Sequence, residues 1–159
     1  MRVYADTSFL VKLVGREEGS EAATAEYRGL GLPGLFFLPL HALEVENALR
    51  QKAFHQRRSL PSGRREQIGR DLKAGLARLQ FWLDQGLLRE VAADWEASVL
   101  RARMISGTRT EKLGARAVDI LHVAFALELG TERFLTTDDL QAVLARSEGL
   151  KVKIVPDDQ

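Results

Sequence analysis

The sequence predicts an α/β fold, a three-layer α/β/α domain around a central, mainly parallel sheet of about five strands. Three observations predict it. Short apolar bursts of strand length recur along the 159 residues and alternate with longer segments of helical spacing. No hairpin turn signal joins one burst to the next, so successive strands must be connected by crossovers. Finally, 159 residues with 45% hydrophobic and 28% charged side chains suit one compact core, and we expect a single domain over 1–159.

The elements follow in order. Arg2–Ala5 reads as a buried strand, Asp6-Thr7-Ser8 as a capping turn, and Phe9–Val14 as a helix stopped by Gly15. Glu18–Leu30 is helical and is closed by Gly31, Pro33 and Gly34; Leu35–Leu38 is a second strand. Pro39 opens a helix whose apolar positions run to about His55. Ser59–Gly63 breaks the chain, and Arg65–Gln85 is a strongly amphipathic helix carrying Ile68, Leu72, Leu76 and Leu79 at steps of three and four. A helical insertion or hairpin is therefore expected around 50–86. Leu87–Val91 is a third strand, Asp94–Ser106 a helix, Gly107–Gly114 a loop, and Ala115–Leu129 a helix capped by Gly130. Arg133–Thr136 contains a fourth strand, Asp138–Arg146 forms the last helix, and Val152–Val155 is a fifth strand before the acidic tail Pro156–Gln159.

Composition narrows the chemistry. The chain has no cysteine, which excludes a disulfide scaffold, a thiolate metal site and a Cys nucleophile. Its formal charge of +1 gives no global field toward nucleic acid or membrane, so such binding must come from local patches. With an acid at position 6 and no apolar stretch of about 20 residues, neither a secretory signal nor a membrane span is expected, and the cytoplasm is the expected compartment.

Parallel sheets bind ligands beyond the carboxyl ends of their strands. Asp6 and Asp138 both follow strands directly, and either alone reads as a helix cap. Glu44 and Asp119 lie in otherwise apolar helical runs, Ala42-Leu43-Glu44-Val45 and Ala117-Val118-Asp119-Ile120-Leu121, where a carboxylate needs a partner or a metal. The ordered set matters more than its members. Tyr4-Ala5-Asp6-Thr7-Ser8, Leu43-Glu44-Val45-Glu46-Asn47-Ala48-Leu49, Ala117-Val118-Asp119-Ile120-Leu121-His122-Val123-Ala124 and Phe134-Leu135-Thr136-Thr137-Asp138 together resemble the PIN-domain nucleases, in particular the VapC-type toxins of toxin–antitoxin pairs. The resemblance covers essentially the whole chain; Arg57–Arg89 is longer than a minimal member requires.

The resemblance implies a Mg²⁺- or Mn²⁺-dependent endoribonuclease whose pocket is formed by Asp6, Glu44, Asp119 and Asp138. Phosphodiester hydrolysis requires charge neutralisation and an activated water, which hard cations on oxygen ligands supply. By the same resemblance Asp6 and Asp119 are direct ligands, Glu44 and Asp138 bind through water or a second ion, and Ser8 and Thr136 orient carboxylates. A homodimer and a VapB-like antitoxin are its implied partners. Asp139 competes with Asp138, and the Thr-x-Asp match favours Asp138. Glu46, roughly 200° around the helix from Glu44, is expected to be solvated or paired with Arg50. His122 shares a helix face with Asp119 but is expected to be packed and hydrogen-bonded rather than a ligand. His41 and His55 have no partner at diagnostic spacing, and Trp82 and Trp95 read as core or interface residues.

Arg50, Lys52, Arg57, Arg58, Arg64, Arg65 and Arg70 face one acid, Glu66, a local net charge of +6 over 50–70. This is either a solvated hairpin or a flank beside the acids, with Arg57, Arg58, Arg64 and Arg65 touching RNA phosphates or an antitoxin. Two rival functions remain at this level: a catalytically silent RNA- or protein-binding domain, and a nuclease of RNA processing or DNA repair. A phosphotransferase using Asp6 as nucleophile would call for a second Asp at position 8, where the chain has Ser8.

Overall fold

In the computed structural model, which describes residues 1–155, five short strands form one parallel sheet: β1 (Val3–Ala5), β2 (Leu35–Phe37), β3 (Leu88–Glu90), β4 (Arg133–Thr136) and β5 (Val152–Ile154), in the order β3-β2-β1-β4-β5. Every neighbouring pair is parallel, with Tyr4 opposite Phe36 on one side and Phe134 on the other. The expected acidic tail, Pro156–Gln159, lies outside the described residues.

The three central strands, β2, β1 and β4, read as nearly continuous apolar runs because helices cover both faces, while the edge strands β3 and β5 carry exposed charged residues. Alternation along each strand divides the core in two. Val3, Ala5, Leu35, Phe37 and Leu135 point to one side, where they meet Phe9 and Leu10 of α1 (Thr7–Gly15), Ala23 and Tyr27 of α2 (Ser20–Gly29), Val45 and Leu49 of α3 (Pro39–Ser59) and Leu79 of α4 (Arg65–Asp84). Tyr4, Phe36 and Phe134 point to the other, toward Ala102 and Ile105 of α5 (Trp95–Leu113), Val123 and Phe125 of α6 (Ala117–Glu128) and Leu144 of α7 (Asp139–Ser147). The result is the expected three-layer α/β/α arrangement.

Two elements differ from the sequence expectation. The segment 107–114 is not a loop: α5 continues through Gly107 to Leu113 and ends at Gly114, whose φ of 65° gives the left-handed cap. Gly107 is a weak breaker inside a helix already anchored by Ala102 and Ile105, and tertiary packing overrides its propensity. Helix α3 also runs four residues past His55, so that α3, a 3-10 turn at Ser62–Arg64 and α4 form a long helical hairpin. The two helices approach closely at Gly75, where an added Cβ would lie 3.2 Å from the Leu49 side chain.

Trp82 packs against the first core cluster and stacks on Tyr27, as a core residue should. Trp95 is 43% exposed and packs edge-on against Phe125.

Candidate active site

All four predicted acids lie at the carboxyl-terminal edge of the sheet. Asp6 follows β1, Asp138 follows β4, Glu44 is in the second turn of the helix after β2, and Asp119 is in the first turn of α6, which leads back down to β4. β1 is flanked by β2 on one side and β4 on the other, so this edge is where the strand order reverses.

Asp6 is 4% exposed. Its side chain caps α1 by accepting from Phe9 N at 3.1 Å, as the simplest reading of an acid before a helix requires. It does more than cap. Ser8 Oγ donates to Oδ1 at 2.6 Å and Thr136 Oγ1 donates to Oδ2 at 2.7 Å. Ser8 and Thr136 also lie 3.2 Å apart, while Thr137 N donates to Ser8 and Asp138 N to Thr136. The two hydroxyls expected to orient carboxylates thus tie the β1 and β4 loops together around Asp6. Burial raises the Asp6 pKa from the usual carboxylate value despite these bonds and the nearby His122.

Asp138 is exposed and caps α7, accepting from Gln141 N at 2.9 Å. Asp119 is half-buried and accepts from Arg116 N at 3.4 Å. Burial, followed by the negative charge of Asp138, raises the Asp119 pKa against the opposing effects of Arg116 and His122.

Glu44 has a different environment. His122 Nε2 lies 2.6 Å from its Oε2, and Thr7 Oγ1 donates to the same oxygen at 2.8 Å. Burial opposes its charge, yet the His122 bond and the Thr7 hydroxyl together hold Glu44 below its ordinary pKa. His122 is 3% exposed and its Nδ1 meets the Tyr4 hydroxyl at 2.8 Å, so it is the packed, hydrogen-bonded histidine the sequence suggested. Its pairing with Glu44 was not visible in sequence, and neither were the roles of Thr7 and Tyr4. Burial and then His122 push the pKa of His41 well below its ordinary range; it sits among Tyr4, Phe37 and His122 and accepts from Leu38 N at 3.0 Å.

The salt-bridge explanation for these acids fails for three of them. Among the described residues neither Asp6, Asp119 nor Asp138 forms an ion pair with Lys or Arg, and Glu44 has His122 as its hydrogen-bonded neighbour. Carboxylates without a lysine or arginine partner, one of them raised in pKa by burial and by a neighbouring acid, are a donor set suited to a hard cation. Glu44 Oε1, Asp119 Oδ1 and Asp138 Oδ2 accept no hydrogen bond among the described residues, and Asp6 Oδ2 accepts one. Their chemistry fits a divalent ion. Among the described residues, however, no three His, Asp or Glu side chains are already gathered around one point.

A family model described as PIN domain matches residues 3–147. The chain belongs to the PIN family. PIN domains are nucleases that generally depend on a divalent metal, which accords with an oxygen-only set of acids at the strand ends. A search of curated proteins finds no match.

The remaining predicted residues of this PIN domain are elsewhere. Arg57, Arg58, Arg64 and Arg65 are exposed, without ion pairs among the described residues, at the tip of the α3–α4 hairpin. Arg57 lies thirteen positions after Glu44 on α3, about 20 Å at 1.5 Å per residue. The arginines are therefore not beside the acids: α3 stays helical past His55 and carries them away. Glu46 pairs with Arg50 at 2.8 Å, Lys52 with Glu17 at 2.7 Å and Arg70 with Glu66 at 3.6 Å. No helix of the described residues is long and apolar enough to cross a membrane.

Proposed function

We propose that this PIN domain is a Mg²⁺- or Mn²⁺-dependent endoribonuclease and the toxin of a VapBC-type pair. The observation that carries the enzymatic reading is the group of Asp6, Asp119 and Asp138, gathered at one sheet edge without a lysine or arginine partner and, for Asp119, charged against its neighbour. Asp6, Glu44, Asp119 and Asp138 would hold the ion. When bound, it supplies positive charge to the scissile phosphate and acidifies the attacking water.

The chain's own residues set the rest. Ser8 and Thr136 fix Asp6 in one rotamer, so its charge is aimed rather than mobile. Glu44 has one oxygen saturated by His122 and Thr7, and its other oxygen is open to accept a proton from water. A nucleophilic role for Asp6 is disfavoured because both of its oxygens already accept hydrogen bonds inside the fold.

RNA as substrate, the antitoxin and the homodimer rest on the motif resemblance. The unpaired arginines of the hairpin tip support RNA, since an unpaired basic surface binds phosphates by counterion release. An apolar row on α5, with Val99 43%, Leu100 58% and Met104 69% exposed, supports a homodimer. The deciding experiment incubates purified protein with RNA and DNA panels in Mn²⁺, Mg²⁺ and excess EDTA. Cleavage of single-stranded RNA that EDTA abolishes is expected; no cleavage of any substrate, or cleavage indifferent to EDTA, overturns the reading. For the pairing, the product of the adjacent open reading frame should bind the protein and inhibit cleavage.

A further inference from the structure

The geometry points to Tyr4 as a positioning residue that fixes the His122 tautomer and thereby leaves Glu44 with only Oε1 free to act. This rests on the reading of Glu44 as a member of the functional site. The argument is one of hydrogen-bond accounting. Tyr4 is fully buried, and its hydroxyl has one polar neighbour within hydrogen-bond distance among the described residues, His122 Nδ1 at 2.8 Å. A buried hydroxyl proton without an acceptor is costly, so the hydroxyl donates and Nδ1 accepts. A neutral imidazole that accepts at Nδ1 carries its proton on Nε2. Nε2 lies 2.6 Å from Glu44 Oε2, a separation that requires a proton between the two atoms, and Nε2–H supplies it.

The consequence reaches the site edge. Oε2 now accepts from both His122 and Thr7, while Oε1 accepts nothing among the described residues. A carboxylate held this way has one rotamer and one available oxygen, pre-set by a tyrosine on a core strand. The opposite tautomer would leave the Tyr4 proton without an acceptor and place two acceptors against each other at Glu44. His41 packs against both rings and already uses its own Nδ1 to accept from Leu38 N, so it does not compete for the Tyr4 proton.

The test is long-range ¹H–¹⁵N correlation of the imidazoles in labelled protein, tractable because the chain has 3 histidines. The His122 signals are assigned by their loss in His122→Gln. We expect an unprotonated Nδ1 and a protonated Nε2 in wild type at neutral pH; an imidazolium or the opposite tautomer overturns the proposal without any variant. Glu44→Gln should retain the wild-type tautomer, because Tyr4 sets it, and a flipped tautomer there overturns the proposal. Tyr4→Phe should give mixed tautomers, about tenfold weaker Mn²⁺ binding by electron paramagnetic titration, and about tenfold lower kcat at unchanged KM. A Tyr4→Phe protein that melts lower but keeps its tautomer and Mn²⁺ affinity assigns Tyr4 to packing alone and overturns the proposal. A wild type that binds Mn²⁺ yet cleaves no RNA defeats the ribonuclease reading while leaving the tautomer result standing.

Discussion

Asp119 sits where burial and Asp138 disfavour its charge more than Arg116 and His122 favour it, and this gives it a signature unlike that of a structural acid. Burial and Asp138 both raise its pKa, so ionised Asp119 lowers the stability of the metal-free protein at neutral pH. Asp119→Asn keeps the shape and removes the charge. In EDTA the variant should melt at the wild-type temperature or above it. Wild type in metal at about a hundred times Kd gains roughly 2.7 kcal/mol, and the variant should lose most of that gain together with cleavage. Destabilisation in EDTA with the metal effect intact would remove Asp119 from the site. A second residue gives a clean pH test. The Tyr27 hydroxyl donates to Pro33 O at 2.8 Å, and burial raises its pKa from 10.0 to about 12. The folded state therefore holds this proton more tightly than the unfolded chain. The stability it contributes is complete below pH 10 and falls by roughly 1.4 kcal/mol per unit as pH rises toward 12. Tyr27→Phe should cost about 1 kcal/mol at pH 8 and progressively less above pH 10, read from urea midpoints of both proteins. A constant gap across that range would contradict the buried donor.

The elements here do two things at once, and the helix N-termini show it best. Asp6 and Asp138 are ordinary caps of α1 and α7 by geometry, and the same placement brings both carboxylates to one sheet edge. Capping and function therefore do not compete; the cap orients the side chain that the chemistry uses. Helix α5 shows the limit of local signals. Gly107 is exposed within α5, has normal helical backbone, and an added Cβ there would meet nothing within 4 Å. Gly107→Ala should stabilise the protein by about 0.5–1 kcal/mol, measured by chemical denaturation, because only the unfolded-state entropy and helix propensity change. A loss of stability would mean that α5 bends or opens at this point. Gly114→Ala should do the opposite, costing about 1 kcal/mol, since its φ of 65° suits glycine and penalises a Cβ.

At the scale of the whole molecule, the acids and the unpaired arginines occupy separate places. About 20 Å of α3 lies between Glu44 and Arg57, so a strand contacting both must span several nucleotides. Replacing Arg57, Arg58, Arg64 and Arg65 by Glu should weaken RNA binding across all sequences and flatten its salt dependence by roughly 0.7 per lost contact. Single-turnover cleavage of a short RNA, too small to reach the tip, should be unaffected. An unchanged salt slope would return these arginines to a solvated surface, and a loss confined to antitoxin binding would reassign them to that partner.

The sequence by itself determined the fold class, because strand-length apolar runs and amphipathic helices are local patterns whose periods survive without tertiary knowledge. It also singled out Asp6, Glu44, Asp119 and Asp138 as candidates, because the motifs that carry them resemble, in that order, those of the PIN-domain nucleases. Helix ends were less legible: α3 beyond His55 and α5 beyond Ser106 are held by packing across the hairpin and against α6, which outweighs the weak stop at Gly107. Only the tertiary structure decided which acids lack a lysine or arginine partner among the described residues, and that the hairpin arginines stand away from the acids. It alone joined Tyr4, His122, Glu44 and Thr7, whose hydrogen bonds span 37 to 118 positions along the chain. Contacts at that separation have no period and no local composition; they exist because a parallel sheet brings the ends of distant strands and helices to one edge.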